Sequence, residues 1–527
     1  MSPPRRHLCS FRFRSVAILD AQHRHRRWLR KRHTAAASID ISQGADNMNH
    51  QSPFEKLPED ILHRIHSLLP VQDAACAACV SHAFLHSWRC YTKLTLNDST
   101  LRLTHIKFEE RKIYFIDKVD KILKNHHDKG VKVETLNLIL TPCTNIKASY
   151  LDKWLRRTVK SGFKDLYLEM PLSMKKIYNF PCSVLSDEGA ASSIQFLKIG
   201  SCAFRPTSTL GSLGRLKILS LSFVHITEEG LQHLLSKSST LEELRIFACN
   251  GIICLKIPCT MHHLKILDVQ SFNMPRVVEI DAPNLCYFKY DSALPEIYVR
   301  NRSQLKHVQL SSARPSGVLF YARTSLPSIA RNVESLILVG CGENANTPLL
   351  QSKLPHLKNL EIRLGAGCPT SYDVFSLVSF LDASPALESF TLHVSKYAMT
   401  HYPVVGDDDE CLRRELDFSH NCLRHVTITG FCSAKCLVEL TVHILESTHS
   451  LERLTLDTTY DYNQGPRTIG KCTISSKTAQ CWPMSKVVID EAHRAVKTVD
   501  RYIAGRVPLA VQFELLEPCS RCHTGSQ

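Results

Sequence analysis

No apolar run in this 527-residue sequence approaches the roughly 18 consecutive positions that a bilayer-spanning helix requires. No glycine-rich phosphate loop, no Gly-x-Ser-x-Gly elbow and no His-Glu-x-x-His pair is present. The sequence thus carries none of the short signatures of nucleotide hydrolysis, serine-type acyl transfer or zinc proteolysis. Concentrated cysteine is missing too. The 21 cysteines are spread along the whole chain, unlike the dense clusters of small disulfide-bonded secreted domains. Cys202, Cys249 and Cys341 stand where a repeat would bury a small apolar side chain, so they read as reduced thiols of a cytosolic or nuclear protein.

Negative charge is scarce at the start. Residues 1–37 hold nine Arg and one Lys against the single Asp20, about +9 of the net +15. The remainder is a mildly basic body with a strongly basic tail. Residues 1–51 show no apolar periodicity and are expected to be disordered. The cluster from Arg24 to Arg32 fits a nuclear-import patch, an Arg-rich organellar transit peptide, or an extension ahead of Met48.

The first folded signal starts at Leu57-Pro58-Glu59-Asp60. Proline suits a first helical turn, and the two carboxylates favour the positive end of the helix dipole. Ile61, Leu62, Ile65, Leu68 and Leu69 follow at helical spacing, and Pro70 stops the helix. Asp73 can cap a second helix bearing Ala74, Ala77, Ala78 and Val80. A third segment carries Phe84, Leu85 and Trp88. Three short helices over residues 52–93 cannot bury much surface alone, so the module needs a partner or a neighbouring domain.

From residue 94 a motif of form L-x-x-L-x-L recurs. It runs through Leu94/Leu96, Leu136/Leu138, Phe163/Leu166/Leu168, Ile194/Leu197/Ile199, Leu216/Leu219/Leu221 and Leu241/Leu244/Ile246. Leu264/Leu267/Val269, Leu285/Phe288/Tyr290, Leu305/Val308/Leu310 and Val333/Leu336/Leu338 continue it. Leu357/Leu360/Ile362, Leu387/Phe390/Leu392, Leu423/Val426/Ile428 and Leu451/Leu454/Leu456 close it. From Leu197 the steps are 22, 25, 23, 21 and 20 residues, lengthening afterwards to between 24 and 36. That period is the leucine-rich repeat: one strand per copy, a helical or irregular return outside, and a core shared between stacked copies. The predicted fold class is α/β, a leucine-rich-repeat solenoid over residues 94–464 with a curved parallel sheet, preceded by the all-α module. Inserted loops are expected at Pro142–Asn145, Gly365–Pro369 and the acidic Asp407–Glu410. Residues 465–527 break the rhythm. A helix over Asp490–Ala504, apolar at Ala495, Val496, Val499 and Ile503, and a strand over Val507–Leu516 can cap the array.

The stretch Phe54–Asn97 resembles an F-box, through Leu57-Pro58-Glu59-Asp60-Ile61-Leu62, Ile65, Leu69-Pro70, Asp73-Ala74, Val80-Ser81 and Trp88-Arg89. With repeats downstream, the chain resembles a plant F-box/leucine-rich-repeat protein. Its ending, from Ile503 through Leu516-Glu517-Pro518 to Cys519-Ser520-Arg521-Cys522-His523, is similar to the FBD-like tail of grass members. It departs at Ser81-His82-Ala83-Phe84, where many members have a basic residue after the serine and a tryptophan soon afterwards; here the tryptophan waits until Trp88. The resemblance implies a substrate receptor without catalysis of its own. The F-box would dock on the Skp-type adaptor of a cullin–RING ubiquitin ligase, and the repeats would recruit a protein substrate. It implies that Leu57, Pro58, Ile61, Leu62, Ile65, Leu69, Pro70, Val80 and Trp88 line the adaptor interface.

Other constellations carry less. Cys519-x-x-Cys522-His523 has the spacing of haem attachment, but it sits at the extreme tail and no enclosing pocket is visible for it. Zinc there would need a fourth ligand, such as Cys472 or Cys481. The motif is read as a capped turn with free thiols, and no cofactor or metal is assigned. Cys76-Ala77-Ala78-Cys79 reads as helix packing. His126 and His127 are adjacent and point apart. Two alternatives stand beside the ligase reading: a free-standing repeat scaffold, and a nucleic-acid-binding repeat protein. The second requires cations clustered on one solenoid face, whereas most of the excess charge precedes residue 38.

Overall fold

A computed structural model describes residues 57–69, 71–80, 82–89, 91–173, 176–270, 275–300, 304–315, 317–341, 352–365, 372–395, 412–413, 419–459 and 486–518. The basic tail with Arg24–Arg32, Pro70, the Gly365–Pro369 loop beyond Gly365, and Asp407–Glu410 lie outside the described residues. So do Cys472, Cys481 and the Cys519/Cys522/His523 motif.

The chain opens with α1 (Glu59–Ser67), α2 (Val71–Val80) and α3 (His82–Arg89). Pro58 precedes α1, Glu59 and Asp60 fill its first turn, and Arg64 and His66 its last. The two carboxylates at its start and the Arg64 guanidinium near its end thus have the signs that the helix dipole favours.

Strands then succeed one another: β1 (Lys93–Leu96), β2 (Thr135–Ile139), β3 (Asp165–Glu169), β4 (Phe196–Gly200), β5 (Ile218–Ser222) and β6 (Glu243–Phe247). Next come β7 (Cys254–Ile257), β8 (Ile266–Gln270), β9 (Val277–Ile280), β10 (Tyr287–Asp291), β11 (Glu296–Val299) and β12 (His307–Pro315). The series ends with β13 (Ser335–Cys341), β14 (Asn359–Leu364), β15 (Ser389–Val394), β16 (His425–Thr429), β17 (Arg453–Asp457) and β18 (Gln512–Leu516). The longer helices between them are α4 (Phe108–Asp128), α5 (Ala148–Thr158), α6 (Glu228–Ser236), α7 (Lys435–Ser447) and α8 (Lys486–Tyr502).

Fifteen of these strands form one sheet in chain order, with only β7, β9 and β11 left out. Neighbours from β4 to β12 pair parallel, which excludes antiparallel hairpins across residues 194–310. The last two residues of every apolar set read from the sequence land on a strand of this sheet, and the first residue of each triplet lies just before its strand. Leu166, Leu197, Leu219, Leu244, Leu267, Phe288 and Val308 stand opposite one another along the ladder and are buried. Alternation places these side chains in the core and the intervening residues on the open face of the sheet.

The returns differ from expectation in one region. Helical or irregular segments are expected throughout, yet β7, β9 and β11 form a second parallel sheet in the order β11-β9-β7. The repeats here are short, with steps of 20 to 23 residues, and leave little room for a helix. Cys254-Leu-Lys-Ile, Val277-Val-Glu-Ile and Glu296-Ile-Tyr-Val also alternate with period two. The 25-residue step from Leu219 to Leu244 has room for a helix and holds α6.

Ser201, Phe223 and Ala248, each one residue past its strand, share a left-handed backbone with φ of 56°, 56° and 51°. This common corner turns Cys202, Val224 and Cys249 into the core, as the repeat pattern requires of the two cysteines.

At the far end the cap helix starts earlier than its expected Asp490, at Lys486, and ends at Tyr502. Ala495, Val499 and Ile503 are buried, whereas Val496 is only half-buried. The buried Glu491 carboxylate accepts from the backbone N–H and the hydroxyl of Ser433 at 2.8 and 2.7 Å. β18 is shorter than the expected strand and becomes the last strand of the main sheet, with Phe513 opposite Leu454.

Candidate functional site

Helix α1 has two apolar stripes, and they face different ways. Leu62 is 5 % exposed and His66 fully buried, with Leu69 half-buried behind them. Pro58 is exposed, Ile61 is 42 % exposed, Ile65 half-buried and Leu68 72 % exposed. Ile61, Ile65 and Leu68 follow i, i+4, i+7, which is one face of a helix. Leu62, His66 and Leu69 repeat the same spacing one position on. Of the residues implicated by resemblance, Leu57, Pro58, Ile61 and Ile65 offer surface. Leu62 sits inside the module. Leu69 and Trp88 are partly buried against the hydrophobic core. Pro70 and the side chain of Val80 lie outside the described residues. Leu68 was not among the expected interface residues. The signal for it was its spacing from Ile61 and Ile65.

His66 organises the interior. Its Nδ1 is 2.9 Å from the Ser87 hydroxyl and its Nε2 2.8 Å from the Ala74 carbonyl. Phe84, Trp88 and Tyr91 surround the ring at centroid distances of 5.4, 6.0 and 5.6 Å. Burial pushes its pKa below the usual imidazole range. The packing continues into the first repeat. Trp88 stacks on Tyr91 at 5.5 Å and meets His126 of α4 edge-on at 5.6 Å. Asp73 of α2 pairs with Arg102 beyond β1. The module therefore shares its core with the repeats rather than hanging from a linker.

The family model described as "At1g61320/AtMIF1, LRR domain" matches residues 122–520. A model of the F-box domain matches residues 54–90. The chain belongs to this leucine-rich-repeat family. It is an F-box/leucine-rich-repeat protein of the plant type. Three relatives from Arabidopsis thaliana illustrate the likeness. The putative FBD-associated F-box protein At5g53635 is 24 % identical over 77 % of this chain and 95 % of its own length. The F-box/LRR-repeat protein At3g58940 is 24 % identical over 76 % of this chain and 64 % of its own. The putative FBD-associated F-box protein At1g61330 is 21 % identical over 76 % and 90 %.

The leucine-rich-repeat sheet offers the second surface. Tyr167 and Phe196, on the adjacent strands β3 and β4, stack at 4.2 Å, and Ile218 of β5 continues this half-buried apolar strip until Glu243 of β6 interrupts it; Ile266 and Tyr287 lie beyond that carboxylate in the same row. Its basic residues are matched by acids: Lys198 lies 3.4 Å from Glu169, Lys289 3.6 Å from Asp268, and Arg245 pairs with Glu243. Further along, Glu361 lies 2.5 Å from Arg363 and 3.2 Å from His393. Although burial opposes ionisation, these partners hold its carboxyl down at about 2. Neutralised charge suits a protein partner better than a polyanion.

Three buried repeat cysteines are poor nucleophiles. Burial pushes the thiols of Cys143, Cys202 and Cys249 up to about 12. Cys76 departs from expectation. It is a free thiol exposed on α2 rather than packed, because the helix turns Ala74 and Ala78 inward instead. His126 is buried while His127 is exposed, as adjacent residues on one helix must diverge. No helix among the described residues is long and apolar enough to cross a membrane.

Proposed function

We propose that this protein is the substrate-receptor subunit of a Skp–cullin–F-box ubiquitin ligase. The F-box holds the Skp-type adaptor and the repeat sheet holds the protein to be modified. The observation that carries the reading is the stripe Pro58, Ile61, Ile65 and Leu68, left open to solvent on a helix of the matched F-box. Isolated apolar side chains are common on surfaces, but a contiguous helical stripe is a docking face. The protein transfers nothing itself. It raises the effective concentration of substrate lysines beside the ligase. On the sheet, the Tyr167–Phe196 strip is the surface we assign to substrate, since aromatic side chains dominate binding energy at protein interfaces. Affinity purification of the tagged chain with mass spectrometry tests the whole reading. Adaptor and cullin should co-purify; recovery of neither, where other F-box proteins capture both, favours the free-standing scaffold.

A further inference from the structure

We propose that Glu59, His63 and His86 form a binding site for one borderline divalent metal ion, with zinc as the reference case, that ties α1 to α3. Glu59 and His63 are four residues apart and share one face of α1. Helix α3 brings His86 to the same place. One donor atom from each residue lies within 4.8 Å of the other two. His86 Nδ1 is 2.8 Å from Glu59 Oε1, and the two imidazole centroids are 6.4 Å apart. Donors around tetrahedral zinc, with bonds of about 2.0–2.1 Å, stand about 3.4 Å from one another. Closing to that spacing takes side-chain rotation, which the exposed ends of Glu59 and His86 leave room for.

A buried chain of hydrogen bonds prepares one ligand. The Ala74 carbonyl can only accept, so His66 donates to it through Nε2–H at 2.8 Å. Burial keeps His66 neutral, which leaves its Nδ1 to accept from the Ser87 hydroxyl at 2.9 Å. The Ser87 oxygen then accepts from His63 Nδ1–H at 3.2 Å. In this tautomer the lone pair of His63 is on Nε2, the state a metal ligand requires. A hydrogen bond on the far ring nitrogen is the usual support of a metal-binding histidine.

The donor set selects the ion. Two imidazoles and one carboxylate suit zinc and its transition-metal neighbours, whereas calcium and magnesium require mostly oxygen. Three protein ligands leave a position for water. At about 100° per residue, Glu59 and His63 point away from Ile61, Ile65 and Leu68. Metal and adaptor would therefore occupy opposite flanks of α1, and the site does not depend on the adaptor reading.

Hydrogen exchange of the full chain, with and without a several-fold excess of zinc sulfate, tests the site. Peptides spanning 59–67 and 82–89 separate it from thiols elsewhere. Zinc should slow exchange in both helices at least several-fold, because an ion bound only by the folded module opposes its opening. His86→Ala and Glu59→Gln should each abolish that slowing while circular dichroism stays unchanged. No slowing in the wild type, or equal slowing in the variants, overturns the proposal.

Discussion

Trp88, on the last F-box helix, stands edge-on to His126 of the first repeat helix, with ring centroids 5.6 Å apart. Tyr91 stacks against Trp88 and donates its hydroxyl to the Leu69 carbonyl at 3.3 Å. These contacts fix the direction of α1 relative to the repeat sheet. Under the proposed function, that rigidity would hold a bound substrate in a constant direction from the adaptor.

Trp88→Ala should therefore loosen the module from the array. Removing a large aromatic side chain from a core costs about 3 kcal/mol or more, and part of that applies to a half-buried ring. Limited proteolysis should nick the variant between residues 89 and 93 faster than the wild type. Equal nicking rates would mean that the junction is held by something else.

The same junction should be acid-sensitive. Burial depresses the pKa of both His66 and His126, although backbone hydrogen bonds partly oppose it. The unfolded chain takes up protons near pH 6.5 while the folded one resists them. Stability from this source is thus complete above about pH 6.5 and falls as pH drops toward the folded values. Thermal melting between pH 7.5 and 5.5 should decline more steeply for the wild type than for His126→Leu. Parallel slopes would contradict this.

The sheet was legible in the sequence because its signal is repeated. Each strand offers two core positions at fixed spacing, and copies such as Leu197, Leu219 and Leu244 confirm one another. The three-stranded outer sheet was missed because Cys254–Ile257, Val277–Ile280 and Glu296–Val299 are four-residue segments, too short for their alternation to stand out. In the module, helical spacing placed an apolar surface on α1 but merged its two stripes. Leu62 and Ile61 are adjacent in sequence, and only the packing of Phe84, Ser87 and Trp88 around His66 decides which stripe turns inward. The Glu59/His63/His86 grouping needs α1 and α3 side by side, so no local pattern revealed it.

Gly430 occupies a corner that no side chain fits. Its φ is +70°, and a Cβ there would lie 1.9 Å from the Val394 carbonyl oxygen. Gly430→Ala should lower stability by roughly 2 kcal/mol or more, from strain and displaced backbone. A reduced urea midpoint with an unchanged slope is expected; an unchanged midpoint would mean that the corner yields freely.

The cap should release first when its clamp is cut. Glu491 holds the N–H and hydroxyl of Ser433 and pairs with Arg494 at 2.6 Å. Glu491→Ala leaves two buried donors unsatisfied, at about 2–3 kcal/mol. Hydrogen exchange should accelerate in peptides covering 486–518 before those covering 194–310. Uniform acceleration would argue against a local clamp.

Affinity for a purified Skp-type adaptor, measured by calorimetry on the full chain, bears most directly on the proposed function. Ile61→Ala with Leu68→Ala removes two exposed anchors, at about 2 kcal/mol each if both are hot spots, so affinity should fall at least tens-fold. Circular dichroism and the thermal midpoint should stay near wild type, since neither side chain is in the core. Leu62→Ala should do the reverse, lowering the midpoint because it empties a buried site. A wild-type chain that binds no adaptor, or a double variant that binds as tightly as the wild type, would contradict the assignment of this stripe as the docking face.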